Sequence, residues 1–290
     1  MDSKQKVNLY LQDKKSNKQY WYTGNHKWEV PSVCYGVSIL QEYQKDKITG
    51  LVNFYDKRSQ QLEKENENLK ISHKSRSLIN AQYLGLIDGD DENYSYKKIT
   101  NVFNMINERV NKKFENVNSY IDIIESQMEK LYLQRKKTSK KQGGKQKDND
   151  DSNILVHPLF VLYKVLLTIQ NYTNKYEITM DEFKIFVCFI KEYNEVYKTI
   201  EYILISRLMN QEVIKETAQK IEYVRIHLAF AQLETLEFKN KSIKLNDKFI
   251  DEIRCKVSDY EKEILPKMNR ENMDRALHDD KNIFEFYKGV

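Results

Sequence analysis

The stretch from Ile221 to Val257 constrains the fold of this chain more than any other. Apolar residues at helical spacing begin at Ile221 and predict a helix that ends in Leu233 to Phe238. A short basic segment from Lys239 to Leu245 then has the pattern of a tight strand pair, and Asn246 is placed to cap a following helix. Helix, strand pair and helix in this order is typical of a winged helix-turn-helix unit. Such units usually set a helix against nucleic acid, so the pattern predicts a nucleic-acid-binding module.

A second stretch, from Lys70 to Val110, repeats this order. Ser72 is placed to cap a helix, Gly85 sits where a helix C-cap is expected, Tyr94 to Ile99 has the pattern of a returning strand, and Thr100 or Asn101 can cap the next helix. A chance combination of helix and hairpin explains two such stretches less well than it explains one.

The composition sets the fold class. The 290 residues include only 8 Gly and 3 Pro, which favours long helices over a β-sandwich or a glycine-rich nucleotide-binding fold. We therefore expect a mostly α protein with small β wings, built from two winged helix-turn-helix-like units joined by helices.

Changes in composition along the chain predict the domain boundaries. Residues 1–134 form a recognition unit with its connecting helix, after a polar lead-in at 1–19 that we expect to be poorly ordered or extended. Residues 135–153 are rich in Lys, Gly and Asp and predict a flexible linker or loop. The second winged-helix-like unit covers 154–260, and a helical linker covers 261–290.

The charge permits DNA binding without requiring it, because 48 Lys and Arg face 43 Asp and Glu, a net charge of +5. Arginine side chains can read guanine, amides can read adenine, and lysines mostly anchor phosphate. The expected DNA contacts lie on the candidate helices and wings. In the first unit they are Lys70, His73, Lys74, Arg76, Asn80, Gln82, Lys97 and Lys98, and in the second Lys220, Arg225, His227, Lys239, Lys241 and Lys244.

No pattern assigns a catalytic residue, a metal site or a cofactor to this chain. Its 3 cysteines form no C-x-x-C pair, and its 5 histidines lack ligand spacing. Glu182-Phe183-Lys184 has the E-x-K spacing of a nuclease core, but it follows a capping box, Thr179 with Glu182, in a helical pattern. The sequence contains neither a signal peptide nor a run of about eighteen apolar residues, so we expect a cytoplasmic protein without a membrane partner.

Several short motifs, taken in order, resemble the recognition region of AlwI-type type IIS restriction and nicking endonucleases. They are Ser72-x-x-x-Arg76, Tyr83-Leu84-Gly85-Leu86, Lys98-Ile99-Thr100, His157-Pro158-Leu159 and Ile243-x-Leu245-Asn246.

The resemblance runs from about Tyr20 to Val257, and it implies that winged-helix subdomains recognise an asymmetric duplex DNA site. In that family a C-terminal PD-(D/E)xK domain cuts the DNA with Mg²⁺, and Phe284-Glu285-Phe286 resembles the segment with which this domain begins. Since the sequence ends at Val290, the resemblance implies sequence-specific DNA binding in a bacterial restriction system, without cleavage by this chain alone. The nuclease, and its Mg²⁺, would belong to a partner subunit or a missing C-terminal domain.

Two alternatives remain open. The chain can be a helical protein–protein interaction module whose hairpins are structural, with no nucleic-acid role; it then has no positive face joining the two wings. It can also be a nuclease with an unrecognised core, in which case plasmid cleavage would depend on Mg²⁺ and on Glu182.

Overall fold

The computed structural model describes residues 2–14, 21, 28–46, 50–67, 69–89, 93–133, 154–221 and 226–290, and shows a mostly helical protein with two small antiparallel sheets. This confirms the expected fold class at the level of secondary structure. The chain divides into two compact units, each assembled from two stretches of sequence. We name them after their sheets and describe each by itself.

The three-stranded unit comprises Met1–Asn25 and Asp151–Met268. Numbered along the whole chain, its elements are α1 (Ser3–Lys14), α7 (Pro158–Thr173), β3 (Glu177–Thr179), α8 (Met180–Ile185), α9 (Val196–Arg207), α10 (Gln211–Lys220), α11 (Ile226–Phe230), β4 (Leu236–Lys239), β5 (Ser242–Leu245) and α12 (Ile250–Asp259).

The two-stranded unit comprises His26–Asp150 and Asn269–Val290. Its elements are α2 (Val30–Asp46), α3 (Leu51–Glu65), α4 (Lys74–Tyr83), β1 (Ile87–Asp88), β2 (Lys98–Ile99), α5 (Asn101–Val110), α6 (Ile121–Lys130), α13 (Arg270–His278) and α14 (Ile283–Lys288).

The sheet of the three-stranded unit has the order β3-β5-β4, so the strand that precedes the helices pairs with the last strand of the hairpin. Ile243 in β5 lies opposite both Ile178 in β3 and Phe238 in β4. Asn240 and Lys241 form the hairpin turn with φ of 51° and 62°, the left-handed pair that a two-residue type I′ turn needs. The hairpin is therefore short, tightly turned and fixed along one side.

Local signals explain how the helices around this sheet begin. Pro158 occupies the first turn of the buried helix α7, where its missing N–H leaves no bond unmade. The predicted capping box is present at α8: Thr179 Oγ1 accepts the Glu182 N–H at 3.1 Å, and Glu182 accepts the Thr179 N–H at 2.7 Å. Asn246 accepts the Lys248 N–H and caps the helical turn that follows the hairpin, as predicted.

In the two-stranded unit, α4 packs against α2, α3 and β1. Gly36 in α2 permits the close approach, because a Cβ there would lie 2.6 Å from the Ser77 Cβ in α4. Gly85 ends α4 in the left-handed region, at φ 62°, where a Cβ would overlap the Leu277 carbonyl oxygen. Gln127 completes this junction by donating to both Leu84 O and Leu277 O, at 2.9 and 2.8 Å.

Three local predictions were wrong in detail. The N-cap of α4 is His73 rather than Ser72, whose N–H instead donates to Ser32 Oγ at 2.7 Å. The returning strand contains only Lys98 and Ile99, because Tyr94–Tyr96 forms a 3₁₀ turn. The lead-in at 1–19 contains a helix, α1. Tyr10 in this helix donates to the Ile185 carbonyl at 3.0 Å and so attaches α1 to α8.

The compact units differ from the contiguous ranges predicted for the domains. Residues 1–25 belong with 151–268, and residues 269–290 belong with 26–150. The predicted linker at 135–153 lies outside the described residues. Within the ranges that the structure describes, no helix is both long and apolar enough to cross a membrane.

Candidate nucleic-acid interface

The tip of the β4–β5 hairpin presents cations to solvent. Lys239 keeps 76% of its side chain exposed, and Lys241 is also exposed at the turn. Glu237 faces two of the hairpin lysines, at 3.1 Å from Lys239 and 3.8 Å from Lys244. The hydrogen bond from Lys239 is the largest influence on the Glu237 carboxyl and lowers its pKa.

Lys244 lies between two carboxylates, Glu237 and Asp247, the second at 3.7 Å. Its charge is therefore largely balanced within the hairpin. Among the described residues, no carboxylate lies within ion-pair distance of Lys241. Lys241 is thus the cation of this hairpin with the least local compensation.

A partly buried ion pair lies at the outer edge of β3, the strand that supports the hairpin. Arg207 donates to Glu182 through two nitrogens, at 2.7 and 2.9 Å, and to the Glu177 carbonyl in β3 at 3.1 Å. The Glu182 side chain is only 5% exposed, and the paired carboxylate raises the pKa of Arg207. A cavity of about 280 Å³ lies beside this pair. Its lining residues are Lys175, Glu177, Ile178, Thr179, Glu182, Arg207 and Gln211.

This arrangement gives Glu182 a structural role that the E-x-K spacing alone did not reveal. Its carboxylate oxygens accept from Arg207 and from the Thr179 N–H. Both bonds help to hold α8 against β3. Within the part of the chain that is described, no group of three or more His, Cys, Asp or Glu side chains is arranged to hold a metal ion.

The helix preceding the hairpin differs from the prediction. The helix predicted from Ile221 to Phe238 is not found at these bounds: α10 ends at Lys220, α11 covers Ile226–Phe230, and Leu236 to Phe238 belong to β4. Lys220 is exposed at the end of α10. Arg225 lies outside the described residues.

His227 is buried, contrary to the prediction that it contacts DNA. It is 7% exposed because α11 packs inward, with its ring 6.4 Å from that of Phe238 in the hairpin. A helix of five residues with four of them buried has little outward surface. The apolar spacing that predicted this helix therefore reflects the burial of α11 in the core.

In the two-stranded unit, basic residues lie at and just before the N-terminus of α4. Lys70, His73 and Arg76 are exposed, and Lys74 is half-buried. Burial lowers the pKa of Lys74, against the pull of the Asp56 carboxylate. His73 is the N-cap of α4, Lys74 and Arg76 lie in its first turn, and Lys70 precedes it by four residues. Backbone N–H groups at such a terminus favour an anion.

Asn80 and Gln82 are not on the exposed face of α4. They are 0% and 4% exposed, so the expectation that their amides contact bases was wrong. The reason is that α4 is covered by α2, α3 and β1 together, which bury more of its circumference than a single apolar stripe indicates.

The two wing lysines of this unit have different environments. Lys97 is 5% exposed, its Nζ donates to the Gly89 carbonyl, and it lies 5.3 Å from the Tyr94 ring centroid. Lys97 therefore fixes the loop and is not a surface contact, contrary to the prediction. Lys98 is exposed.

The structure also brings forward a residue that the sequence did not single out. Tyr96 is 67% exposed on the loop between β1 and β2. Its place in a Tyr-Ser-Tyr alternation indicated a strand, where it would be one side chain of a sheet face. The 3₁₀ turn instead projects it from the loop.

No protein-family model and no curated protein matches this chain.

Proposed function

We propose that this chain binds duplex DNA sequence-specifically. The observation that carries the proposal is the sheet order β3-β5-β4 with a lysine-tipped hairpin at its open edge. A strand ahead of the helices that pairs with the last strand of a terminal hairpin is the strand order of winged-helix domains. That likeness is one of fold, so the functional part of the proposal depends on the hairpin's charges.

Electrostatics supports the hairpin as a phosphate contact. Lys239 immediately precedes the two-residue turn and Lys241 is its second residue, so both side chains lie at the end of the hairpin. Lysines that neutralise DNA phosphates release condensed counterions, which is the main source of affinity for nucleic acid. The rigid support of β5 by β3 lowers the entropy lost when the hairpin is immobilised on DNA.

The cation group at the start of α4 supports the same proposal from the other unit. Lys70, His73 and Arg76 are exposed there. Arg76 has the side chain that reads guanine by two parallel hydrogen bonds, whereas Lys70 suits phosphate. With the buried Asn80 and Gln82 excluded, Arg76 becomes the main base-reading residue that we assign to α4.

The resemblance to AlwI-type endonucleases extends the proposal to a biological setting. We infer that the chain is the recognition part of a restriction or nicking system. Cleavage would then require Mg²⁺ in a nuclease partner or in a further domain. This inference requires only that the two units recognise DNA.

A selection experiment tests the proposal. The full chain is incubated with a pool of randomised duplexes, bound DNA is recovered through several rounds, and the enriched duplex is compared with a shuffled duplex of equal composition in a gel shift. We expect the enriched duplex to bind at least tenfold more tightly, which corresponds to ~1.4 kcal/mol. Equal binding of both duplexes would overturn sequence-specificity, and absence of binding at moderate salt would overturn the proposal as a whole.

A further inference from the structure

The cavity beside the Arg207–Glu182 pair is small and lined almost entirely by polar residues. Its volume is about 280 Å³, and Ile178 is the one apolar residue among those that line it. Pockets for drug-sized ligands span about 300–1,000 Å³ and are mostly apolar. The size and the lining therefore favour a small polar ligand, of the size of an amino acid, over a nucleotide or an apolar molecule.

Two of the four charged groups of the cavity balance each other. The Arg207 guanidinium donates to the Glu182 carboxylate through Nε and Nη2, and Nη2 also donates to the Glu177 carbonyl. Nη1, the third nitrogen of the guanidinium, makes no hydrogen bond within the part of the chain that the structure describes. Arg207 thus neutralises Glu182 and keeps one nitrogen that can still donate.

The other two charged groups, Lys175 and Glu177, have no such partner. Among the described residues, no carboxylate lies within ion-pair distance of Lys175, and no cation lies within that distance of Glu177. Lys244 lies directly opposite Glu177 in the sheet register. Its ammonium, however, contacts Glu237 and Asp247, at 3.8 and 3.7 Å. The cavity is therefore lined by one uncompensated cation and one uncompensated carboxylate.

Gln211 adds a hydrogen-bond acceptor to the lining. Its Nε2 donates to the carbonyls of Ser206 and Met209, at 3.0 and 3.2 Å. Both N–H groups of the amide are then in use. Its Oε1 accepts no hydrogen bond from the residues that the structure describes. An amide held in this way offers a ligand only its oxygen, which suits an N–H donor and not a carboxylate or a phosphate.

We propose that this cavity binds a small zwitterion with one ammonium and one carboxylate, of the chemical class of a free α-amino acid. Lys175 and Nη1 of Arg207 donate to the ligand carboxylate. Glu177 and Oε1 of Gln211 accept from the ligand ammonium. Hydrogen bonds with a charged partner at both ends are the strong kind. A simple anion would meet the Glu177 carboxylate and a simple cation the Lys175 ammonium, so neither complements the lining. The site does not depend on the proposed DNA contacts, none of which lines the cavity.

Ligand binding is measured on the full chain without DNA. The standard L-amino acids are added one at a time in millimolar excess, and a raised unfolding midpoint identifies a binder, because a ligand that binds only the folded state stabilises it. Isothermal titration calorimetry then compares the best binder with its carboxamide and its N-acetyl derivative. The carboxamide lacks the carboxylate, and the N-acetyl derivative lacks the ammonium.

Four variants locate the site. Lys175→Met and Glu177→Gln each remove one of the uncompensated charges. Lys262→Met and Glu201→Gln are the matched controls, on exposed residues of the same unit outside the cavity. Since Lys175 and Glu177 make no ion pair among the described residues, all four variants should unfold at the wild-type midpoint when no ligand is present.

We expect at least one amino acid to raise the midpoint of the wild-type protein. Each single-charge derivative binds about tenfold more weakly or worse, as the loss of a hydrogen bond between charged groups implies. Lys175→Met and Glu177→Gln weaken the amino acid to a similar extent, and both controls bind it like wild type. The proposal is overturned if no amino acid shifts the midpoint, if the single-charge derivatives bind as well as their parent, or if Lys175→Met and Glu177→Gln keep wild-type affinity.

Discussion

The two hairpins share one order in sequence but use their lysines in different ways. In the three-stranded unit, the β4–β5 hairpin is supported by a third strand and holds Lys239 and Lys241 in solvent. In the two-stranded unit, the strands are two residues long and Lys97 turns inward to fix the loop. The difference teaches that hairpin lysines are not equivalent: Lys97 fixes its own loop, whereas the hairpin with a third strand keeps both lysines at its tip exposed.

The largest expected effect comes from Gly85, which lies just before the β1–β2 hairpin of the two-stranded unit. Gly85→Ala should destabilise the chain by about 2–4 kcal/mol, because the residue has positive φ and its new methyl would overlap the Leu277 carbonyl. Chemical denaturation measures the free energy of unfolding. Gly50→Ala is the matched control, since nothing lies within 4 Å of a Cβ there. Equal behaviour of the two variants would show that the α4 junction does not have the packing described.

The support of the larger hairpin should be almost as sensitive. Glu182→Ala leaves the partly buried Arg207 without its carboxylate and removes half of the capping box, so we expect a loss of about 2–3 kcal/mol. We expect a smaller loss of stability than for a fully buried pair because the Arg207 side chain is 31% exposed. Glu201→Ala, an exposed change in α9, should be nearly neutral in the same unfolding measurement. A neutral Glu182→Ala would contradict the role assigned to this pair.

Acid should weaken the three-stranded unit through His157. This ring is fully buried, with Nδ1 3.1 Å from Tyr260 Oη, and burial lowers its pKa from 6.5 to about 3. Because the unfolded chain binds the proton first, stability falls as the pH drops from 6.5 towards 3, by up to ~1.4 kcal/mol per pH unit from this group.

Unfolding free energies measured across this range for wild type and His157→Phe isolate the contribution of the histidine. The variant should show a shallower decline with falling pH, even if its stability at neutral pH differs. Parallel curves for the two proteins would mean that the ring is accessible to protons in the folded state.

A matched pair of lysine substitutions tests the difference between the two hairpins. Lys97→Met should lower stability by about 1–2 kcal/mol, because the Gly89 carbonyl loses its donor, and should leave DNA affinity nearly unchanged. Lys241→Met should do the reverse, with unaltered stability and several-fold weaker binding. Denaturation and fluorescence anisotropy on the same preparations provide both readouts. The distinction between the hairpins fails if both substitutions affect the same property.

Local chemistry made part of this fold predictable. Pro158, the Thr179–Glu182 capping box and the Asn246 cap each act within one turn of the chain, and all were predicted correctly. A strand pair was also predicted in this region, and β5 lies within the predicted segment. β4 begins at Leu236, however, within residues that were assigned to the end of a helix.

Burial was less predictable, because it depends on how many elements cover a helix. Periodicity assigns one apolar face, but α4 is enclosed by three neighbours and therefore buries Asn80 and Gln82. The Arg207 partner of Glu182 lies 25 residues away, and the Ile185 acceptor of Tyr10 lies 175 residues away. Contacts of such separation leave no local pattern, which is also why the discontinuous units were missed.

The salt dependence of DNA binding tests the central claim most directly. Affinity for one duplex is measured over a series of salt concentrations for wild type, Lys239→Gln/Lys241→Gln and the control Lys262→Gln, an exposed lysine of the same unit outside the hairpin. If both hairpin lysines neutralise phosphates, the double variant lowers the slope of log affinity against log salt by about 2, and the control leaves it unchanged. Identical slopes for all three proteins would contradict a role for this hairpin in binding DNA.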